Sequence, residues 1–224
     1  MSREAPPDAL EYFREAGWPE SAIEKYRARF GAFGAMIYKL PDSFHRLSHG
    51  QQVRIGNDEW QVVIGRGHSP EHACLYNASK KLLISGDQVL PRISSNVSVQ
   101  PMEPHANPMA DWMASLDWIE ANIPDDVLVM PAHDDCFYGL HARIQHLRAS
   151  QHKSFDRLRE ALSQGPQRVV DVFGALFSRP IDAQSAHYHL ATGEAQACLN
   201  YLMDLGEVTR SVRDGTAWYA LTAP

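Results

Sequence analysis

Cysteine is scarce in this chain: Cys74, Cys136 and Cys198 are the only three among 224 residues, far apart and with no C-x-x-C pair. That spacing argues against a disulfide framework and fits reduced thiols in a reducing compartment. Long apolar runs are missing too, none reaching the roughly 20 residues of a spanning helix, and Met1-Ser2-Arg3-Glu4-Ala5-Pro6-Pro7 lacks a signal-peptide core. The expectation is a cytoplasmic protein with no membrane partner. Positive charge is not in excess: 21 Lys and Arg against 27 Asp and Glu leave a net charge of -6. A general binder of nucleic acid or anionic lipid needs the opposite balance. What is present is 44% hydrophobic residues, enough for one substantial core, or for a core with a small appended domain.

The pattern divides into three stretches, expected as domains over residues 1–50, 51–148 and 149–224. Residues 8–33 read as two helices, with Leu10 and Phe13 on one stripe, Ile23, Tyr26 and Phe30 on the next, and Trp18-Pro19-Glu20-Ser21 between them. A loop follows to Gly50, where His45 and His49 stand four apart without a third ligand and read as a solvated pair. In the second stretch Val53-Arg54-Ile55 and Trp60-Gln61-Val62-Val63-Ile64 flank Gly56-Asn57-Asp58-Glu59, a hairpin signal. Cys74-Leu75-Tyr76 and Leu82-Leu83-Ile84 form another pair, a helix is expected over 110–123, and Val127-Leu128-Val129-Met130 reads as a short buried strand. The order implies an α/β layer with function at its strand ends. The third stretch predicts a long helix ending near Gly165-Pro166, helices near 170–177, 182–191 and 193–205, and two strands joined across Arg213-Asp214-Gly215-Thr216. Three helices with a terminal ribbon describe a winged helix. From Arg168 onward there are four Arg, no Lys and six acidic residues, so packing or dimerisation is favoured over reading DNA.

Three strand ends carry metal-type ligands. Gly67-His68-Ser69-Pro70-Glu71-His72, then Gly86-Asp87 after Leu83-Ile84-Ser85, then Pro131-Ala132-His133 after Val129-Met130 supply His, Asp and His in order. Imidazole and carboxylate suit zinc, and a carboxylate bridges two ions where a single imidazole cannot. Taken singly, each residue is more simply a turn or interior side chain; three after apolar strands within 66 residues are harder to dismiss. His187 and His189 form an H-x-H without a following Asp-His and read as surface or core histidines. Cys136, three residues past His133, is close enough in sequence to approach a metal but reads rather as a buried structural thiol, and Asp134 and Asp135 read as caps of the next helix.

From about Leu40 to Arg148 the chain resembles the C-terminal half of a metallo-β-lactamase-fold hydrolase, a family that includes glyoxalase II-like thioesterases, lactonases and β-lactamase-like nucleases. Its G-H-[ST]-P-x-H turn is matched at Gly67 to His72, its bridging-aspartate turn at Gly86-Asp87, and its last histidine turn at Pro131-Ala132-His133. The tail resembles the winged-helix domain appended to some β-lactamase-like proteins. The resemblance implies a partial αββα sandwich of α/β (α+β) class, N-terminally truncated and lacking its first half, followed by that domain. It implies His68, Asp87 and His133 as ligands, normally of two zinc ions, and Asp87 as the catalytic bridging carboxylate. The expected activity is hydrolysis of a small ester, thioester, lactone or phosphodiester by metal-bound hydroxide. His72 and Arg92 are expected near the substrate, as a supporting histidine and a contact to an anionic group. The family's H-x-H-x-D-H loop occurs nowhere here, so weak metal binding and impaired turnover are expected. The alternative is an inactive remnant serving dimerisation or partner binding. A missing sheet would leave Val62, Ile64, Leu83, Ile84 and Val129 partly uncovered, which implies a homodimer or another partner.

Overall fold

A computed structural model describes residues 4–185 and 187–223; residues 1–3, on which part of the reading of the N-terminus rests, lie outside the described residues. In chain order the elements are α1 (Pro7–Glu15), α2 (Glu20–Arg29), β1 (Gln52–Ile55), β2 (Asp58–Gly65), β3 (His72–Asn77), β4 (Leu82–Gly86), α3 (Pro108–Asn122), β5 (Leu128–Pro131), α4 (Leu140–Ser163), α5 (Phe173–Leu176), α6 (Tyr188–Asp204), β6 (Val208–Arg213) and β7 (Thr216–Leu221). Among the described residues, no helix is long and apolar enough to cross a membrane. Two compact units result: His45–Val97 with Asn107–Lys153, and the described residues of Met1–Phe44, Ser98–Ala106 and Ser154–Pro224.

The first of these units is built on a five-stranded sheet of order β1-β2-β3-β4-β5. β1 to β4 form an antiparallel meander. The β1–β2 turn is tighter than the sequence pattern implies, because Asp58 and Glu59 already pair as strand and only Gly56, at φ +64°, and Asn57 remain between. At the β3–β4 turn the Asn77 side chain accepts from Ser79 and from the Lys80 amide, both at 2.9 Å. β5 joins β4 in parallel, and a parallel partner requires a crossover, which α3 supplies. Pro108 and the Asn107 side chain, accepting from the Ala110 amide at 3.1 Å, start α3.

Alternation of side chains separates the two faces of this sheet. Val63, Cys74, Leu83, Ser85 and Val129 share a fully buried face. On the other, the cross-strand row Val62, Leu75, Ile84 and Met130 is buried only at Val62 and half-buried beyond it, as is Ile64. The expectation that five apolar residues stay partly uncovered therefore needs correction. Leu83 and Val129 point to the covered face, and Val62 is fully buried as well, its backbone paired with that of residues 50 and 51 at 2.8 Å.

In the second unit, α1 ends in a Schellman arrangement: the Gly17 amide donates to Arg14 and the Trp18 amide to Phe13. Gly17 takes φ +92°, and a Cβ there would crowd Arg168 and Val170 at 3.1 Å. The two N-terminal helices follow the sequence pattern. The C-terminal pattern does not: residues 182–185 form turns, Ala186 lies outside the described residues, and one helix, α6, replaces the two expected over 182–191 and 193–205. Gly193 reads as a break in the chain pattern, yet its role is contact, since a Cβ there would lie 2.7 Å from that of Ser98. β6 and β7 pair antiparallel, with Asp214 and Gly215 both at positive φ in their turn.

Candidate functional site

His68, Asp87 and His133 come together at the ends of β2, β4 and β5. Gly67 delivers His68: φ is +100° there, and a Cβ would sit 2.4 Å from that of Trp112, so only glycine lets the chain pass α3. His68 Nδ1 lies 2.9 Å from the Asn96 carbonyl oxygen. A carbonyl only accepts, so Nδ1 carries the proton and Nε2 of the neutral ring keeps its lone pair. That Nε2 faces Asp87 Oδ2 at 3.6 Å, while His133 Nε2 faces Oδ1 at 3.2 Å.

The Asp87 turn is held from three sides. Gly86 has φ +53°, and a Cβ there would lie 2.3 Å from His72 Nε2. The Asp87 amide donates to that same nitrogen at 3.1 Å, so His72 presents a lone pair to the backbone rather than to a ligand. Burial lowers the pKa of His72, reinforced by His68 and partly offset by Asp87 and the Ser85 backbone. Ser95 Oγ donates to the Asp87 carbonyl. The loop of residues 88–97 is fastened in turn by Arg143 of α4, whose guanidinium donates to Leu90 O at 2.6 Å and Ile93 O at 2.8 Å.

The other candidates take different places. Arg92 is exposed and donates to Asp135 at 3.2 Å, so its charge is already matched. Asp134 adopts φ +64° in the loop, and the first turn of α4 is capped instead by Asp125, accepting from the His141 amide at 2.7 Å. Cys136, expected to be buried, is instead an exposed free thiol in the loop after β5. His49 accepts from the Ile64 amide at 3.2 Å and packs edge-on against Trp118. Ser95, Asn96 and Arg143 were not singled out by sequence, since Arg143 acts across 53 residues and no short pattern marks such a contact.

Zinc bonds of about 2.0–2.2 Å in tetrahedral geometry separate neighbouring donors by roughly 3.3–3.6 Å, close to the spacings found here. The donor chemistry therefore fits zinc, with Asp87 offering one oxygen to each imidazole. The count is short: each position has one histidine and half a carboxylate, against about three protein donors in catalytic zinc sites. Among the described residues, no three or more His, Cys, Asp and Glu side chains are grouped to hold one ion.

A family model described as metallo-beta-lactamase superfamily matches residues 4–133, and one described as metallo-beta-lactamase-like, C-terminal domain, matches residues 155–222. The crystal structure of a beta-lactamase domain protein from Burkholderia ambifaria is 38% identical with a TM-score of 0.86, over 94% of this chain and 60% of that one. A metallo-beta-lactamase family protein from Thermus thermophilus is 24% identical with a TM-score of 0.76, over 96% and 64%. An uncharacterized protein of Aquifex aeolicus (strain VF5) is 28% identical over 102 residues, 46% of this chain and 45% of that one. The chain thus spans less than two thirds of the length of each.

Proposed function

The chain belongs to the metallo-beta-lactamase superfamily, and from that premise we propose that it is a metal-dependent hydrolase whose zinc ions are held in part by His68, Asp87 and His133. The observation that carries this reading is the Asp87 carboxylate facing two histidine Nε2 atoms, one per oxygen. The His68 Nε2 lone pair, fixed by the Asn96 carbonyl on Nδ1, faces a carboxylate oxygen, an arrangement that a cation between them would relieve. Zinc bound there supplies an acidified water and positive charge for a developing oxyanion.

The protein's part is positioning. Asn96 holds the tautomer of His68, and His72 and Ser95 hold the Asp87 turn; an anionic substrate group would have to displace Asp135 to engage Arg92. The substrate class is a small ester, thioester, lactone or phosphodiester. We assign residues 51–148 to the hydrolase body after a helical segment over 1–50, and 149–224 to a winged-helix packing or dimerisation domain. The second reading, a non-catalytic remnant, draws support from the two-donor count alone.

Calorimetric zinc titration of the full chain separates the readings. The expectation is binding weaker than the roughly 10 kcal/mol of a closed structural site, with a further loss in His68→Ala and in His133→Ala. Zinc affinity unchanged in both variants overturns the assignment of these ligands. Zinc binding that depends on them without hydrolysis of any of the four ester classes selects the remnant.

A further inference from the structure

We infer that the cavity between α2 and the first turn of α6 binds a small planar aromatic anion. The cavity has a volume of about 390 Å³, within the roughly 300–1,000 Å³ of small-molecule sites. Four aromatic side chains, Trp18, Tyr26, Phe30 and Tyr188, line it. They are fixed by one another: Trp18 and Tyr188 lie 4.7 Å apart, Tyr26 and Phe30 5.7 Å. Trp18 is further anchored by donating from its indole nitrogen to Thr192 at 2.9 Å. A planar ring entering such a wall stacks without repacking it.

The charge around the cavity sets the sign of the ligand. Lys25 and Arg29 line it and no Asp or Glu does, although the chain as a whole carries -6. Lys25 spends one donor on the Gln184 carbonyl at 3.1 Å, which leaves two of its three N–H bonds. Among the described residues, neither Lys25 nor Arg29 has a carboxylate partner. Aromatic walls with unpaired cations match a flat ring bearing a carboxylate or a phosphate.

Calorimetry on the full chain at low salt, with 2-naphthoate, AMP and 2-naphthylmethylammonium as probes, tests this. The expected result is saturable binding of at least one anion, none of the ammonium, and about a tenfold loss of anion affinity in Lys25→Met/Arg29→Met. Naphthoate alone identifies a carboxylate ligand, and AMP alone a phosphate. No anion binding, equal binding of the ammonium, or undiminished affinity in the double variant overturns the assignment. Should the double variant not fold, Arg29→Met alone, at an exposed position, carries the same comparison.

Discussion

Gly86 occupies a backbone conformation that side chains rarely adopt, at a point where any Cβ would collide with His72. Strain and clash act together there, so Gly86→Ala is expected to lower unfolding stability by about 2 kcal/mol, read by urea denaturation, and to weaken zinc binding by shifting Asp87. A second residue sets a pH dependence. Burial opposes ionisation of Asp171, but hydrogen bonds from the Arg168 side chain and amide, together with the Arg168 charge, prevail and hold its carboxyl below the ordinary range. A depressed folded-state pKa means stability present above the unfolded value of roughly 3.9 and lost as pH falls through the folded one. Asp171→Asn is therefore expected to cost about 1 kcal/mol near neutrality, with the gap from the parent closing as the pH falls through the lowered folded-state value. Thermal melts near neutrality and in acid check it, and an equal gap at both contradicts the ion-pair account.

The elements that local pattern alone dictates were legible in the sequence: α1 and α2 with their Trp18-Pro19 break, the β1–β2 and β3–β4 pairs, α3 and β5. The three turns that bring His68, Asp87 and His133 together were legible for the same reason, since each is a strand followed by small residues. What was not legible depends on contacts between distant segments. Gly193 continues α6 because its bare Cα packs on Ser98, a fact absent from its neighbours in sequence. Likewise the loop of residues 88–97 owes its course to Arg143 from α4, and the cap of α4 comes from Asp125 and not from the adjacent aspartates. Removing the Arg143 guanidinium leaves two carbonyls without charged donors. Arg143→Met is expected to destabilise by about 1–3 kcal/mol and to weaken zinc binding, because Asn96 and Ser95 ride on that loop. Denaturation and zinc calorimetry on one sample read both effects; lost stability with intact zinc affinity separates the loop from the ligands.

For the molecule as a whole, the half-buried row Leu75, Ile84 and Met130 is the feature that bears on assembly. A second copy of the chain meeting this face predicts a light-scattering mass twice the 25.1 kDa of one chain, reduced to a single chain by Ile84→Glu. A parent mass of 25.1 kDa excludes that interface. The placement of the thiols has a separate consequence. Cys74 is buried beside the Ser85 carbonyl, with burial pushing its pKa up to about 12, and Cys198 is buried as well, which leaves Cys136 as the exposed one. Thiolate is the reactive species, so an alkylating dye added to the native protein marks a single position, three residues beyond His133. The molecule thereby carries a ready attachment point for a fluorophore that reports, without mutation, on movement of the strand-end loop whenever its neighbours capture a ligand.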